Sequence, residues 1–180
     1  VETLALLGDQ RSERLIEAYA RAQNLQVRML AVTALGRLPS AQSVALLKQL
    51  TGRANPAEVR VNAAMQLARL GQAGGGEYNL AMRAATDPRR LIRASASPRQ
   101  IAPEQRQFRV QKLQRLGAAA LGYMGRSEAI GVLRQLLQVA DPELRVAAAR
   151  SLLELIGERP AAPARQDEAA ELTGLGNKDE

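Results

Sequence analysis

Apolar residues recur at helical spacing in five stretches of this 180-residue chain, each closed by Gly or Pro. Gly8 follows "TLALLG", Pro39 follows "TALGRLP", Gly71 follows "MQLARLG", Gly125 follows "AALGYMG" and Gly157 follows "SLLELIG". The steps between these stops are 31, 32, 54 and 32 residues, one unit throughout with a single excess of 22. A pair of helices with two short turns takes about 30 residues. A fixed period of this size is the mark of a stacked repeat.

Each unit divides alike. A first helix is expected over 11–22, 41–51, 77–85 and 127–139, followed by a polar turn, "QN", "ANP", "TDP" or "ADP". The second helix carries a stripe such as Val59, Ala63, Leu67 and Leu70, or Leu144, Ala148, Leu152 and Leu155, which puts its apolar groups on one side. Asn or Asp followed by Pro predicts the start, as cap and first helical residue. Gly predicts the stop, because it accepts the left-handed conformation beyond a helix end.

The openings "LQVRMLAVTALGRL", "AEVRVNAAMQLARLG" and "PELRVAAARSLLELIG", with Asn24, Asn55 and Asp141 before them, resemble HEAT repeats, particularly the short bacterial kind related to phycobilisome-lyase HEAT-like repeats. The resemblance covers residues 1 to about 157. It implies an all-α fold, a right-handed α-solenoid of antiparallel helix pairs. It also implies a ladder of hydrogen bonds between adjacent units, for which the matching residues are Asn24, Arg28, Asn55, Arg60, Asp87, Asp141 and Arg145. In the third unit Gln114 stands where the ladder arginine belongs, which leaves Arg90, Arg93 or Arg109 to substitute for it. Residues 2–7 read as the last turns of a second helix whose first helix is missing, so a longer solenoid, or an upstream segment or partner covering that end, is expected, with a frayed terminal helix as the plain alternative.

Charge sets the excess apart, and places a basic insertion at about 88–109. From Pro88 to Arg115 there are eight bases, Arg89, Arg90, Arg93, Arg99, Arg106, Arg109, Lys112 and Arg115, against the one acid Glu104. The remainder carries 17 bases and 17 acids, so the chain's net charge of +7 belongs to this one region. Arginine forks suit phosphate and carboxylate. A polyanion or a nucleic-acid backbone would fit, bound without sequence preference because Phe108 is the one aromatic residue of this region that could stack on a base; a solvated loop is the plain alternative. The prolines of "SASPRQIAP" predict an irregular loop with Ser95 or Ser97 as modifiable hydroxyls. A helix over 106–124 is expected to carry Arg106, Arg109, Lys112 and Arg115 around its exposed side. That Phe is expected either to stack or to pack the helix start.

Composition narrows the chemistry. Cys and His are absent, as is Trp, which excludes thiol nucleophiles, disulfides, Cys/His zinc sites and His acid–base catalysis. No apolar run approaches the ~18 residues that span a bilayer, so a soluble chain is expected. "AGGGEYNL" invites comparison with a phosphate loop, but no Gly-Lys-Ser/Thr follows and Glu77 would repel phosphate; a linker between repeats fits better. Glu13 and Glu17 share a face with arginines and read as surface pairs. The segment 158–180, with six acids and three bases, reads as a disordered acidic tail. Within it, 166–172 is suited to a short helix on a partner or to folding back on the basic insertion.

Repeats of this kind offer an extended groove. The leading expectation is a non-catalytic scaffold, without cofactor or metal, that binds another protein on its second-helix face. Polyanion binding through the insertion comes second. An enzyme of the related lyase or DNA-glycosylase type comes third.

Overall fold

The structure, a computed structural model, describes residues 10–95 and 103–157. The expectations for 2–7, Ser97, Arg99 and the tail from 158 lie outside the described residues. Among the described residues all regular structure is helical. The helices are α1 (Gln10–Tyr19), α2 (Leu25–Leu35), α3 (Ala41–Leu50), α4 (Ala57–Arg69), α5 (Gly75–Thr86), α6 (Pro88–Arg93), α7 (Pro103–Met124), α8 (Ala129–Leu136) and α9 (Pro142–Ile156).

First helices α1, α3, α5 and α8 alternate with second helices α2, α4, α7 and α9. The second helices form a row in which α2 packs on α4, α4 on α7 and α7 on α9. Three apolar clusters run along this row. Val59, Ala63 and Leu67 of α4 join Ile16, Leu35 and Leu47 in the first cluster. Ala57, Val61 and Ala64 of the same helix point into the second, with Leu80, Leu91 and Leu113. Ala118 and Leu121 of α7 pass the core on to Leu133, Leu144 and Leu152 in the third. The predicted single stripe on α4 is thus one of two. A helix flanked on both sides needs a second apolar face, so its amphipathicity is weak.

The stop signals act as expected at Gly71 and Gly125, whose φ values are 69° and 66°. At Gly71 the turn is a Schellman motif: Gln72 N–H donates to Leu67 O at 2.8 Å and Gly71 N–H to Ala68 O at 3.0 Å. Gly157 instead follows α9 in an extended conformation. Starts are more varied. Asn24 and Asp141 accept backbone N–H groups at the openings of α2 and α9. Asn55 does not cap α4: Pro56 occupies the cap position without a side-chain bond, and the Asn55 amide is directed elsewhere.

Within the 22-residue excess, the loop expected over "SASPRQIAP" lies, from 96 to 102, outside the described residues. Residues Pro88–Arg93 form α6, capped by Asp87, whose carboxylate accepts Arg90 N–H at 3.2 Å. Pro88, Leu91 and Ile92 are buried, and spacing i, i+3, i+4 puts them on one side with Arg89, Arg90 and Arg93 outward. Each buried Leu or Ile is worth about 1.5–3 kcal/mol, enough to hold so short a helix in place. Helix α7 then starts at Pro103, earlier than predicted. No helix among the described residues is long and apolar enough to cross a membrane.

Close approach in the row depends on two glycines of α7. A Cβ on Gly117 would lie 2.6 Å from Ala85 N and 2.9 Å from Ala81 O of α5, and one on Gly122 would lie 2.8 Å from Ser151 Cα of α9. Gly131 in α8 has open space around it. Gly117→Ala is expected to lower the unfolding free energy by about 1–3 kcal/mol through overpacking. Gly131→Ala is expected to raise it by about 0.5–1 kcal/mol, since alanine costs less backbone entropy. Urea denaturation midpoints of the two variants check the contrast.

Candidate functional site

The ladder residues lie at and just after the turns from first to second helix of successive units. At the first junction Arg28 Nη2 donates to Asn55 Oδ1 at 2.7 Å, which is the bond that takes Asn55 away from capping. A second stitch between α2 and α4 is buried: Asn62 Nδ2 donates to Met29 O at 3.0 Å and to Thr33 Oγ1 at 3.1 Å, and Gln66 Nε2 to Asn62 Oδ1 at 3.0 Å.

The last junction is also closed, one residue out of the predicted register. Arg115 Nη2 reaches Asp141 Oδ2 at 2.9 Å and its Nη1 pairs with Glu143. Gln114 turns the other way, donating to Ala85 O at 3.3 Å. Arg115 is therefore the ladder arginine of this unit, and the substitute is none of Arg90, Arg93 and Arg109. Among the described residues Arg145 bonds only within its own turn, to Val139 O and Ala140 O.

The middle junction differs. Asp87, equivalent in sequence to Asn55 and Asp141, caps α6 and makes no bond to Arg60. Arg60 is 8 % exposed; its Nε donates to Thr51 O at 3.0 Å and its Nη1 to Ser95 Oγ at 2.8 Å. Ser95 Oγ in turn donates to Leu91 O at 2.8 Å. Burial first, then the charges of Arg53 and Arg83, hold the Arg60 guanidinium below the ordinary arginine range.

The basic residues predicted as one surface separate into two groups. Arg89, Arg90 and Arg93 are exposed on α6, as is Arg106 near the start of α7, while Lys112 is half-buried. Arg83 and Arg90, with Asp87, Leu91 and Ala94, line a cleft of about 190 Å³. Arg109, expected on the open side of α7, instead turns inward, donating from Nε and Nη2 to the two carboxylate oxygens of Glu58 at 2.5 and 3.0 Å. Glu58 is 1 % exposed. Two parallel bonds of this kind match the guanidinium fork to the carboxylate, and they tie α7 to α4 at the point where the chain returns from the insertion. Arg115, paired as above, also leaves the open surface.

Other expectations resolve locally. Phe108 is 61 % exposed and does not pack the helix start. Glu77 accepts the N–H of Gly74 at 2.8 Å and so closes the first turn of α5, which gives the "AGGG" run a role in starting a helix. Glu13 accepts the hydroxyls of Ser40 and Ser43 at the start of α3 rather than pairing with surface arginines. Arg69 of α4 stacks over Tyr123 of α7, 5.6 Å from the ring centre. Among the described residues the other exposed large apolar side chains are Leu15 and Tyr19 on α1, Leu30 on α2, and Val146, Leu153 and Ile156 on α9.

Arg109→Ala would strand the Glu58 carboxylate in the interior, and is expected to cost about 3–5 kcal/mol. The double change Glu58→Met with Arg109→Leu is expected to recover most of that loss. Guanidinium unfolding of the wild type, single and double variants checks this.

Residues 1–97 match a family model described as HEAT repeats. No curated protein matches the chain.

Proposed function

Because the chain belongs to the HEAT-repeat family, we propose that it is a non-catalytic scaffold, a right-handed α-solenoid that takes a partner protein along its row of second helices. The observation that carries this reading is the distribution of exposed apolar groups. Of the seven large apolar residues left open among the described residues, Leu30, Phe108, Val146, Leu153 and Ile156 are on second helices, and Leu15 and Tyr19 are on a first helix. On α9 the exposed residues 146, 153 and 156 recur at i, i+7 and i+10, forming one strip, with Val146 and Leu153 at 68 % and 72 % exposure. Contiguous apolar surface of this kind favours a protein partner, and aromatic and aliphatic anchors carry most of the energy of such contacts.

Capture of the full chain's partner from its native extract by cross-linking tests the reading. Val146→Glu with Leu153→Glu is expected to lose the partner while leaving the helical circular dichroism unchanged. Leu15→Glu is expected to retain it. Equal retention by both would remove the second-helix row as the binding face.

A second reading rests on Arg89, Arg90 and Arg93, which stand exposed together on α6. Here the partner is a polyanion or a nucleic-acid backbone, held by contacts that weaken steeply with salt. Changing the three arginines to Glu is expected to reduce retention on heparin and affinity for duplex DNA by at least about tenfold at low salt. Unchanged binding, or binding indifferent to salt, would dispose of it.

A further inference from the structure

Three junctions between second helices can be compared, and the middle one lacks an acceptor of its own kind. Arg28 meets the Asn55 amide oxygen and Arg115 meets the Asp141 and Glu143 carboxylates. Arg60, the most buried of the three arginines, meets a carbonyl and a serine hydroxyl. Among the described residues no carboxylate lies within ion-pair distance of it, and the charges of Arg53 and Arg83, which act on it, are positive. Asp87, which would have answered it, is held at the first turn of α6. A buried charge is costly unless it is paired, so this junction has room for a negative group.

The group that Arg60 touches is one that can acquire that charge. Ser95 Oγ lies 2.8 Å from Arg60 Nη1, is half-buried at the end of α6, and follows the exposed Arg89, Arg90 and Arg93. We propose that Ser95 is a phosphorylation site whose phosphoryl group is received by Arg60, closing the middle junction of the ladder. The donor is a nucleoside triphosphate used by a protein kinase that recognises basic sequences. Ser95 Oγ attacks the γ-phosphorus, the bond from that phosphorus to the β-phosphate oxygen breaks, the nucleoside diphosphate leaves, and the hydroxyl proton passes to the kinase's base.

A phosphoserine carries about −1.5 to −2 charges and three acceptor oxygens. The Ser95 bond to Leu91 O is given up, because its proton is gone, while the Arg60 contact changes from neutral to charge-assisted and strengthens. The modified side chain then fastens the end of α6 to α4. It also removes positive charge from the one region that holds all of the chain's excess. This inference stands apart from the scaffold reading, since it concerns the junction and not the partner face.

The test uses the full 180-residue chain carrying genetically encoded phosphoserine at position 95. Its thermal midpoint is expected to rise by about 2–4 °C over the unmodified chain. Phosphorus NMR titration is expected to give a second phosphate pKa at least about one unit below the value near 6 of the same protein unfolded in urea. An unchanged or raised phosphate pKa, or a lowered midpoint, would overturn the proposal without requiring any Arg60 variant to fold. Treatment of the unmodified chain with a basic-directed kinase and ATP is expected to label Ser95, with no label at that position in Ser95→Ala; label confined to Ser97 counts against it. If inorganic phosphate at matched ionic strength stabilises the unmodified chain as much as phosphoserine does, the anion comes from outside and the covalent source is wrong.

Discussion

Close contact of α7 with its neighbours is the constraint on which the rest of the molecule depends. This helix touches α4, α5 and α9 at once, and it does so because Gly117 and Gly122 remove side chains where the backbone of α5 and Ser151 of α9 press in. Small residues carry the approach, and large ones, Leu113 and Leu121, fill the clusters on either side. Were α7 held further away, the second and third clusters would both open to water. A stack of helix pairs survives only while each pair covers its neighbour, so a break at α7 would divide the row in two.

The insertion falls immediately before this helix. A chain that leaves the row for α6 and a further segment must return in register, and the Glu58–Arg109 pair sits near the point of return. Its desolvation is offset only by good geometry and by both partners being present, which is a condition that a misplaced α7 would fail. One residue on, Val110 enters the second cluster beside Leu91 and Ile92 of α6. The insertion is thus anchored from both ends by groups that belong to the core, while Arg89, Arg90 and Arg93 face outward.

The ladder is less uniform than its repeat. Helix starts need an acceptor for their free N–H groups, and ladder arginines need an acceptor as well. Asn24 and Asp141 serve a helix start, and Asp141 also serves Arg115 through its other oxygen. Asn55 serves only the ladder, and Asp87 serves only α6. Where one residue cannot do both tasks, the geometry of the turn decides which is met, and at the middle junction the arginine is left with a backbone carbonyl and a hydroxyl.

Much of this was legible in the residues. Apolar spacing and the Gly stops located the pairs, because burial of one face and the left-handed helix end are local requirements. The amphipathic pattern of "PRRLIR" was also there to be read, with Pro88, Leu91 and Ile92 on one side, beneath a run of positive charge that suits an anion or a solvated loop equally. What sequence could not disclose was partner choice across distance. Arg109 and Glu58 are 51 positions apart, Arg115 and Asp141 are 26 apart, and nothing in either local pattern distinguishes a solvated arginine from a paired one. The sequence by itself determined that helices form, where they stop and that they pair. Only the tertiary structure decided which arginines turn inward, since that depends on how closely helices approach and on which acceptors the approach leaves unfilled.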